Sequence, residues 1–154
     1  MRKKSPSLSK VMEIILIMTL VGADALMILA PFLTKTLFYI YLQEHNVPYL
    51  DVLYYGFLYL MAVLGIAIVW ELLRLMKTIS NENPFIESNV KGFIRICYYA
   101  FGIGLANAPL FIATTEFIFC LLMVLPPVAG LCCRVIAELF RKAIDYKREN
   151  DLTI

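Results

Sequence analysis

VKGFIRICYYAFGIGLANAPLFIATTEFIFCLLMVLPPVAGLCCRVIA, residues 90–137, decides the architecture. It is two long apolar runs separated by Thr114, Thr115 and Glu116. The hydrocarbon core of a bilayer takes about 20 residues of apolar helix, and both runs reach that length. No water is available there to bond peptide groups, so runs of this kind fold as helices. The short polar joint turns them into a tight antiparallel hairpin over 90–113 and 117–137. Two further apolar runs lie upstream, over 8–31 and 52–76, and Ser5-Pro6 reads as the start of the first. The pattern predicts a single all-α domain over 1–154. It is a polytopic membrane protein with four transmembrane helices in an antiparallel bundle, followed by a helical tail over 138–154.

Composition agrees. The 154 residues are 61% hydrophobic and 17% charged, whereas soluble domains carry about 45–50% apolar and about 25% charged residues. Mean hydropathy is +0.77. A net charge of +2 gives no reason to expect direct nucleic-acid binding. Arg2, Lys3 and Lys4 make a basic start. The apolar run that follows is too long for a signal peptide and lacks a small-residue cleavage site, so it reads as an anchor helix. Every basic residue except Lys35 falls at the N-terminus, between the second and third runs, or at the end of the fourth. By the positive-inside rule, both termini and the 77–95 connection are expected in the cytoplasm of a multi-pass protein of a bacterial cell membrane.

Aromatic residues crowd the opposite side. Phe32, Phe38, Tyr39, Tyr41 and Tyr49 lie in the connection over 32–51, and Tyr54, Tyr55 and Tyr59 follow. They read as an interfacial belt, with an aromatic ligand pocket as the alternative. Trp70 marks the inner interface in the same way. Cys97, Cys120, Cys132 and Cys133 sit in apolar surroundings without CxxC spacing and are expected as free thiols.

Few polar groups enter the spans. Asp24 sits several residues inside the first, where a carboxylate costs roughly 2.5–3.5 kcal/mol at a helix centre. It is expected to be paired, and Asn107 in the third span, at a similar depth, is one candidate partner. Lys35 is another, if the chain folds back after Pro31. Glu13 lies eleven residues before Asp24, close to three helical turns, so both acids share a stripe. A proton or cation path along that stripe competes with a Glu13–Lys10 pair and a single interhelical bond from Asp24. Pro109, Pro126 and Pro127 are expected to kink their helices. Gly102, Gly104 and Ala106 lack the four-residue spacing of a GxxxG face, so close helix approach is only weakly signalled.

Catalytic motifs are missing. His45 is the single histidine, which rules out paired-histidine metal motifs. No nucleophile elbow, Walker loop or dinucleotide fingerprint occurs. The expectation is a non-enzymatic protein with no cofactor and no metal.

The inner face carries KTISNENPFIESNVKGFIR, residues 77–95. Asn83-Pro84 marks a turn, and Ser88 or Asn89 is expected to cap the next helix. Phe85 and Ile86 either dock under the bundle or meet a partner. In the tail, Glu138–Lys142 and Arg141–Asp145 have i,i+4 spacing. Ile136, Leu139, Phe140, Ala143 and Ile144 form an apolar stripe. That stripe either lies against membrane or bundle or presents a helix to a soluble protein.

The loop pattern Asn83-Pro84-Phe85 with Asn89-Val90 and Arg95, together with the ending AIDYKRENDLTI over 143–154, resembles the DUF2975 family of small four-helix bacterial membrane proteins. Ile154 stands where many relatives have valine. The resemblance implies no catalytic residue, since the family has no established activity. It does imply an association, because many members are similar to proteins encoded beside a small Cro-like helix-turn-helix DNA-binding protein.

Three functions follow as expectations. The first is a membrane regulatory partner that holds a small helix-turn-helix regulator through Arg148, Glu149, Asn150, Asp151 and Leu152, with Phe85 secondary. The second is a small transporter or ion-responsive protein built around Asp24. The third is a purely structural membrane protein whose tail steadies the bundle. The lipid bilayer is a partner in all three, and self-association stays open.

Overall fold

The computed structural model describes residues 8–44, 50–80, 84–115 and 117–151. They form four helices in the order α1 (Leu8–Glu44), α2 (Leu50–Ser80), α3 (Glu87–Thr114) and α4 (Phe117–Asp151). All four are long and apolar enough to cross a membrane, the build of a multi-pass membrane protein. Ser5 and Pro6 lie outside the described residues.

Each helix packs on its neighbour in the chain: α1 on α2, α2 on α3, and α3 on α4. α3 is therefore the central element, and most of the buried apolar side chains are on it: Val90, Ile96, Cys97, Ala100, Ala106 and Leu110. Leu73 and Leu75 of α2 and Ala137 of α4 complete this core. α1 covers itself along one stripe only, where Glu13, Leu16, Leu20, Ala23, Met27 and Pro31 are partly shielded. That spacing of three and four residues is one face of a helix, and α2 lies against it.

The small residues of α3 explain how one helix serves two partners. Residues two apart point roughly 200° apart on a helix. Gly102 faces Leu64 of α2, and Gly104 faces Pro127 and Met123 of α4. A Cβ on Gly104 would overlap the Pro127 ring and come 2.7 Å from the Met123 carbonyl oxygen. Gly130 makes the reciprocal approach, its place for a Cβ lying 3.1 Å from the Cys97 carbonyl oxygen. Close approach thus occurs without GxxxG spacing, because the glycines serve opposite faces.

Several expectations are corrected. The connection over 32–51 is mostly helical: α1 continues through Pro31 to Glu44. A proline inside a helix forfeits one backbone bond, and the apolar residues after it carry the helix on. α3 starts at Glu87 behind Ile86, which makes no side-chain cap, so neither Ser88 nor Asn89 caps it. At the other end of α3, Thr115 takes a left-handed conformation (φ 55°) and its N–H bonds the Phe111 carbonyl at 2.7 Å. That cap closes the helix and allows α4 to start two residues later.

Gly104→Ala is expected to destabilise the protein by about 1–3 kcal/mol through overpacking against Pro127. Gly65 has open space around it, and Gly65→Ala is expected to be neutral or to stabilise by up to about 1 kcal/mol. Equilibrium unfolding of both variants in mixed micelles checks the pair.

Candidate functional site

The polar residues that the fold gathers lie where α2 ends and α3 begins. Glu71 is buried near the end of the apolar run of α2, and Arg95 sits two turns into α3. The guanidinium grips the carboxylate with both arms: Nε donates to Oε1 at 2.7 Å and one terminal nitrogen donates to Oε2 at 2.9 Å. Arg74 stands 3.9 Å from Oε2 on the open side. Side-chain exposure is 8% for Glu71 and 36% for Arg95, so the acid is the enclosed partner. Gly92 makes room for it, with Oε2 3.5 Å from where a Cβ would be. The two-pronged geometry fixes both the height and the rotation of α3 against α2.

A second set of bonds closes the turn just beyond. Asn89 is buried, and its amide nitrogen donates to the Pro84 carbonyl at 2.7 Å. The Thr78 hydroxyl lies 2.9 Å from the Asn89 amide oxygen and 2.7 Å from the Leu75 carbonyl. Backbone bonds from Ile86 N–H to Pro84 O (3.1 Å) and from Asn89 N–H to Ile86 O (3.0 Å) tighten the same segment. The segment from Pro84 to Asn89 is thereby locked, and Phe85 is aimed at α4; Asn83 lies outside the described residues. Its ring stands 5.4 Å from that of Phe140, tilted by 41°, and Phe93 approaches Phe140 at 5.3 Å from the other side. These are favourable tilted pairings. They seat the far part of α4 on the turn, so Phe85 docks within the chain while about half of it stays exposed.

Beyond Phe140, α4 continues to Asp151 with exposed side chains at Tyr146, Lys147, Arg148, Glu149 and Asn150. Asp151 closes the helix, and Leu152 lies outside the described residues. Among the described residues neither Glu138–Lys142 nor Arg141–Asp145 forms an ion pair; Glu138 turns back to Arg134 at 4.0 Å. The oppositely charged neighbour one turn earlier wins the carboxylate.

The intramembrane polar residues are not brought together. Asn107 is fully buried between α3 and α2; its amide nitrogen bonds the Ile103 carbonyl at 2.8 Å and faces the Met61 sulfur at 2.9 Å. Its amide oxygen has no partner among the described residues. Asp24 is exposed on α1, which among the described residues does not touch α3. An Asp24–Asn107 bond is therefore excluded by topology, not by depth. Lys35 lies about three turns further along the same helix, and its side chain lies outside those described. Glu13 faces α2 and makes no ion pair with Lys10 among the described residues. Eleven residues apart on one helix, the two acids of α1 lie within about 20° of each other, with Glu13 half-buried and Asp24 exposed at the margin of the stripe that meets α2. The four cysteines are free, and among the described residues no group of three or more potential ligands could hold a metal ion.

Sequence reading missed the Glu71–Arg95 pair, although a signal existed. The two residues sit at matching distances from the turn, with opposite charges, at the polar edge of adjacent antiparallel helices. Because Glu71 is the enclosed partner, Arg95→Met is expected to cost about 3–5 kcal/mol by stranding a buried carboxylate. Glu71→Gln leaves a guanidinium with access to water and is expected to cost about 1–3 kcal/mol. The double variant is expected to recover most of the larger loss, and a double-mutant cycle of unfolding free energies checks all three values. Asn89→Ala, which frees the turn, is expected to cost about 1–3 kcal/mol in the same assay.

A family model described as "Protein of unknown function (DUF2975)" matches residues 37–154. No curated protein and no solved structure matches the chain. The match takes in the end of α1 and all of α2, α3 and α4, including the Glu71–Arg95 pair, the Asn-Pro-Phe turn and the α4 extension. The chain therefore belongs to the DUF2975 family of proteins of unknown function.

Proposed function

We propose that this protein is a non-enzymatic regulatory partner in a bacterial cell membrane, which holds a small helix-turn-helix DNA-binding protein through the extension of α4. The carrying observation is the length and seating of that helix. Its 35 residues make about 52 Å at 1.5 Å per residue, against a hydrocarbon core of about 30 Å. The surplus is a charged rod, anchored at Phe140 on the turn between α2 and α3. The concentration of basic residues on this face supports a cytoplasmic orientation by the positive-inside rule. There the exposed side chains of Arg148, Glu149 and Asn150 form the contact surface, continued by Asp151 and Leu152.

Two features support a role in transmission. Phe140 is gripped by Phe85 and Phe93, and both belong to the segment that Glu71–Arg95 and Asn89 hold rigid. A change in the tilt of α2 against α3 therefore moves the rod. The choice of a helix-turn-helix protein follows the association that the family resemblance implies. No catalytic group is assigned, since the polar clamp spends its donors and acceptors on holding helices together.

The test is crosslinking capture from native membranes, comparing the intact chain with one truncated after Glu149. Recovery of a small helix-turn-helix protein by the intact chain alone is the expected result. Equal capture by both forms, or capture by neither, contradicts the proposal and leaves the extension a structural element.

A further inference from the structure

Three cations converge on one side of the α2–α3 pair, and a single carboxylate answers them. Arg74 and Arg95 both address Glu71, at 3.9 and 2.7 Å. Arg95 spends Nε and one terminal nitrogen on the acid, and its other terminal nitrogen has no hydrogen-bond partner among the described residues. Lys91 is exposed one turn before Arg95 and makes no ion pair among the described residues. Arg74 lies three residues after Glu71, and Lys91 lies four residues before Arg95 on the antiparallel neighbour. Both therefore stand about 5 Å nearer the turn than the Glu71–Arg95 pair, at one depth.

This side is open to the membrane. Phe93, Cys97, Ala100 and Gly104 of α3 meet α4, and Lys91 and Arg95 stand roughly half a turn away from them. On α2, exposed Leu60, Val63, Trp70 and Arg74 follow a spacing of three, seven and four residues, which is one face of a helix. An apolar stripe thus leads through Trp70, an interfacial residue, straight to Arg74. Tyr98 and Leu105 are exposed on the Lys91 side of α3. All three cations lie within the stretches Tyr55–Ile79 and Glu87–Ile112 that are long and apolar enough to cross a membrane. Unanswered positive charge at headgroup depth, with apolar walls beyond it, matches one kind of molecule: an anionic head carrying hydrocarbon tails.

We infer that Arg74, Lys91 and the free arm of Arg95 seat the phosphate of an anionic phospholipid, whose acyl chains lie along Leu60, Val63, Tyr98 and Leu105. Guanidinium groups match phosphate oxygens in geometry as well as charge, and basic pockets between membrane helices recognise such headgroups. A zwitterionic lipid brings its own ammonium to a site already short of negative charge, so it competes poorly. The site is on the flank of α3 away from α4, and it stands independently of any soluble partner.

The experiment reads Trp70, the single tryptophan, one turn from Arg74. The full chain is reconstituted in bilayers of phosphatidylcholine with a fixed fraction of phosphatidylglycerol, and bromine is placed on the acyl chains of one lipid or the other. Trp70 is expected to report a binding constant for phosphatidylglycerol about fivefold or more above that for phosphatidylcholine. Arg74→Gln with Lys91→Gln is expected to bring the ratio to about one. Arg74→Lys with Lys91→Arg, which keeps both charges, and Arg141→Gln with Lys142→Gln, which removes two charges from the far part of α4, are expected to retain the preference. Replacing chloride with inorganic phosphate at equal ionic strength is expected to leave it intact. Equal quenching by the two labelled lipids overturns the site, as does a preference that survives Arg74→Gln with Lys91→Gln or one lost equally with Arg141→Gln and Lys142→Gln. Loss in the charge-keeping variant overturns recognition by charge. Loss in phosphate assigns the cations to a soluble anion and overturns the lipid.

Discussion

A carboxylate enclosed at the end of an apolar helix must be met by a cation, and this single requirement organises the polar end of the molecule. Glu71 has one neighbour able to meet it with both arms, Arg95, and the two-pronged contact leaves little freedom in how α3 lies on α2. Dispersion between apolar helices has little directional preference, and lipid competes equally well for the same surfaces. The ion pair supplies the direction. With the start of α3 placed, Asn89 falls where it can hold Pro84, and Phe85 is delivered to Phe140. The position of α4 at this end thus depends on a contact between two other helices.

The opposite half of the bundle is held by shape. α3 alternates its small residues so that Gly102 accepts Leu64 and Gly104 accepts the Pro127 ring. A proline in the middle of α4 would ordinarily leave a bulge that a neighbour avoids. Here the missing side chain at Gly104 forms the socket for it. Among the described residues α1 takes no part in this packing and touches α2 alone. Its tolerance of Pro31, and its largely exposed apolar surface, fit a helix whose environment is mostly lipid or another protein.

Much of this fold was legible, because hydrophobic run length reports membrane spans directly. Four helices and the tight joint near Thr115 follow from composition and spacing, and the apolar Phe85-Ile86 in a polar turn offered docking within the chain as one of two readings. Depth is also legible; azimuth is not. Asp24 and Asn107 match in depth, yet they sit on helices with no contact among the described residues. Glu71 and Arg95 match equally well and are bonded. The sequence carries no marker that distinguishes the two cases, since helix order in space is set by packing among α2, α3 and α4. The caps were misjudged for a related reason: Asn89 is a good capping residue locally, but tertiary closure of the turn claims its amide. The fate of Glu138 is similar, decided by Arg134 instead of by the favoured spacing to Lys142.

The central claim is that the polar clamp between α2 and α3 holds the α4 extension in place through Phe140. Spin labels on Ser88 and Lys142, both exposed, read it most directly through their distance distribution. A narrow distribution in the otherwise native chain that broadens with Phe140→Ala is the expected result. A distribution already broad with Phe140 present, or one that Phe140→Ala leaves unchanged, would contradict the account.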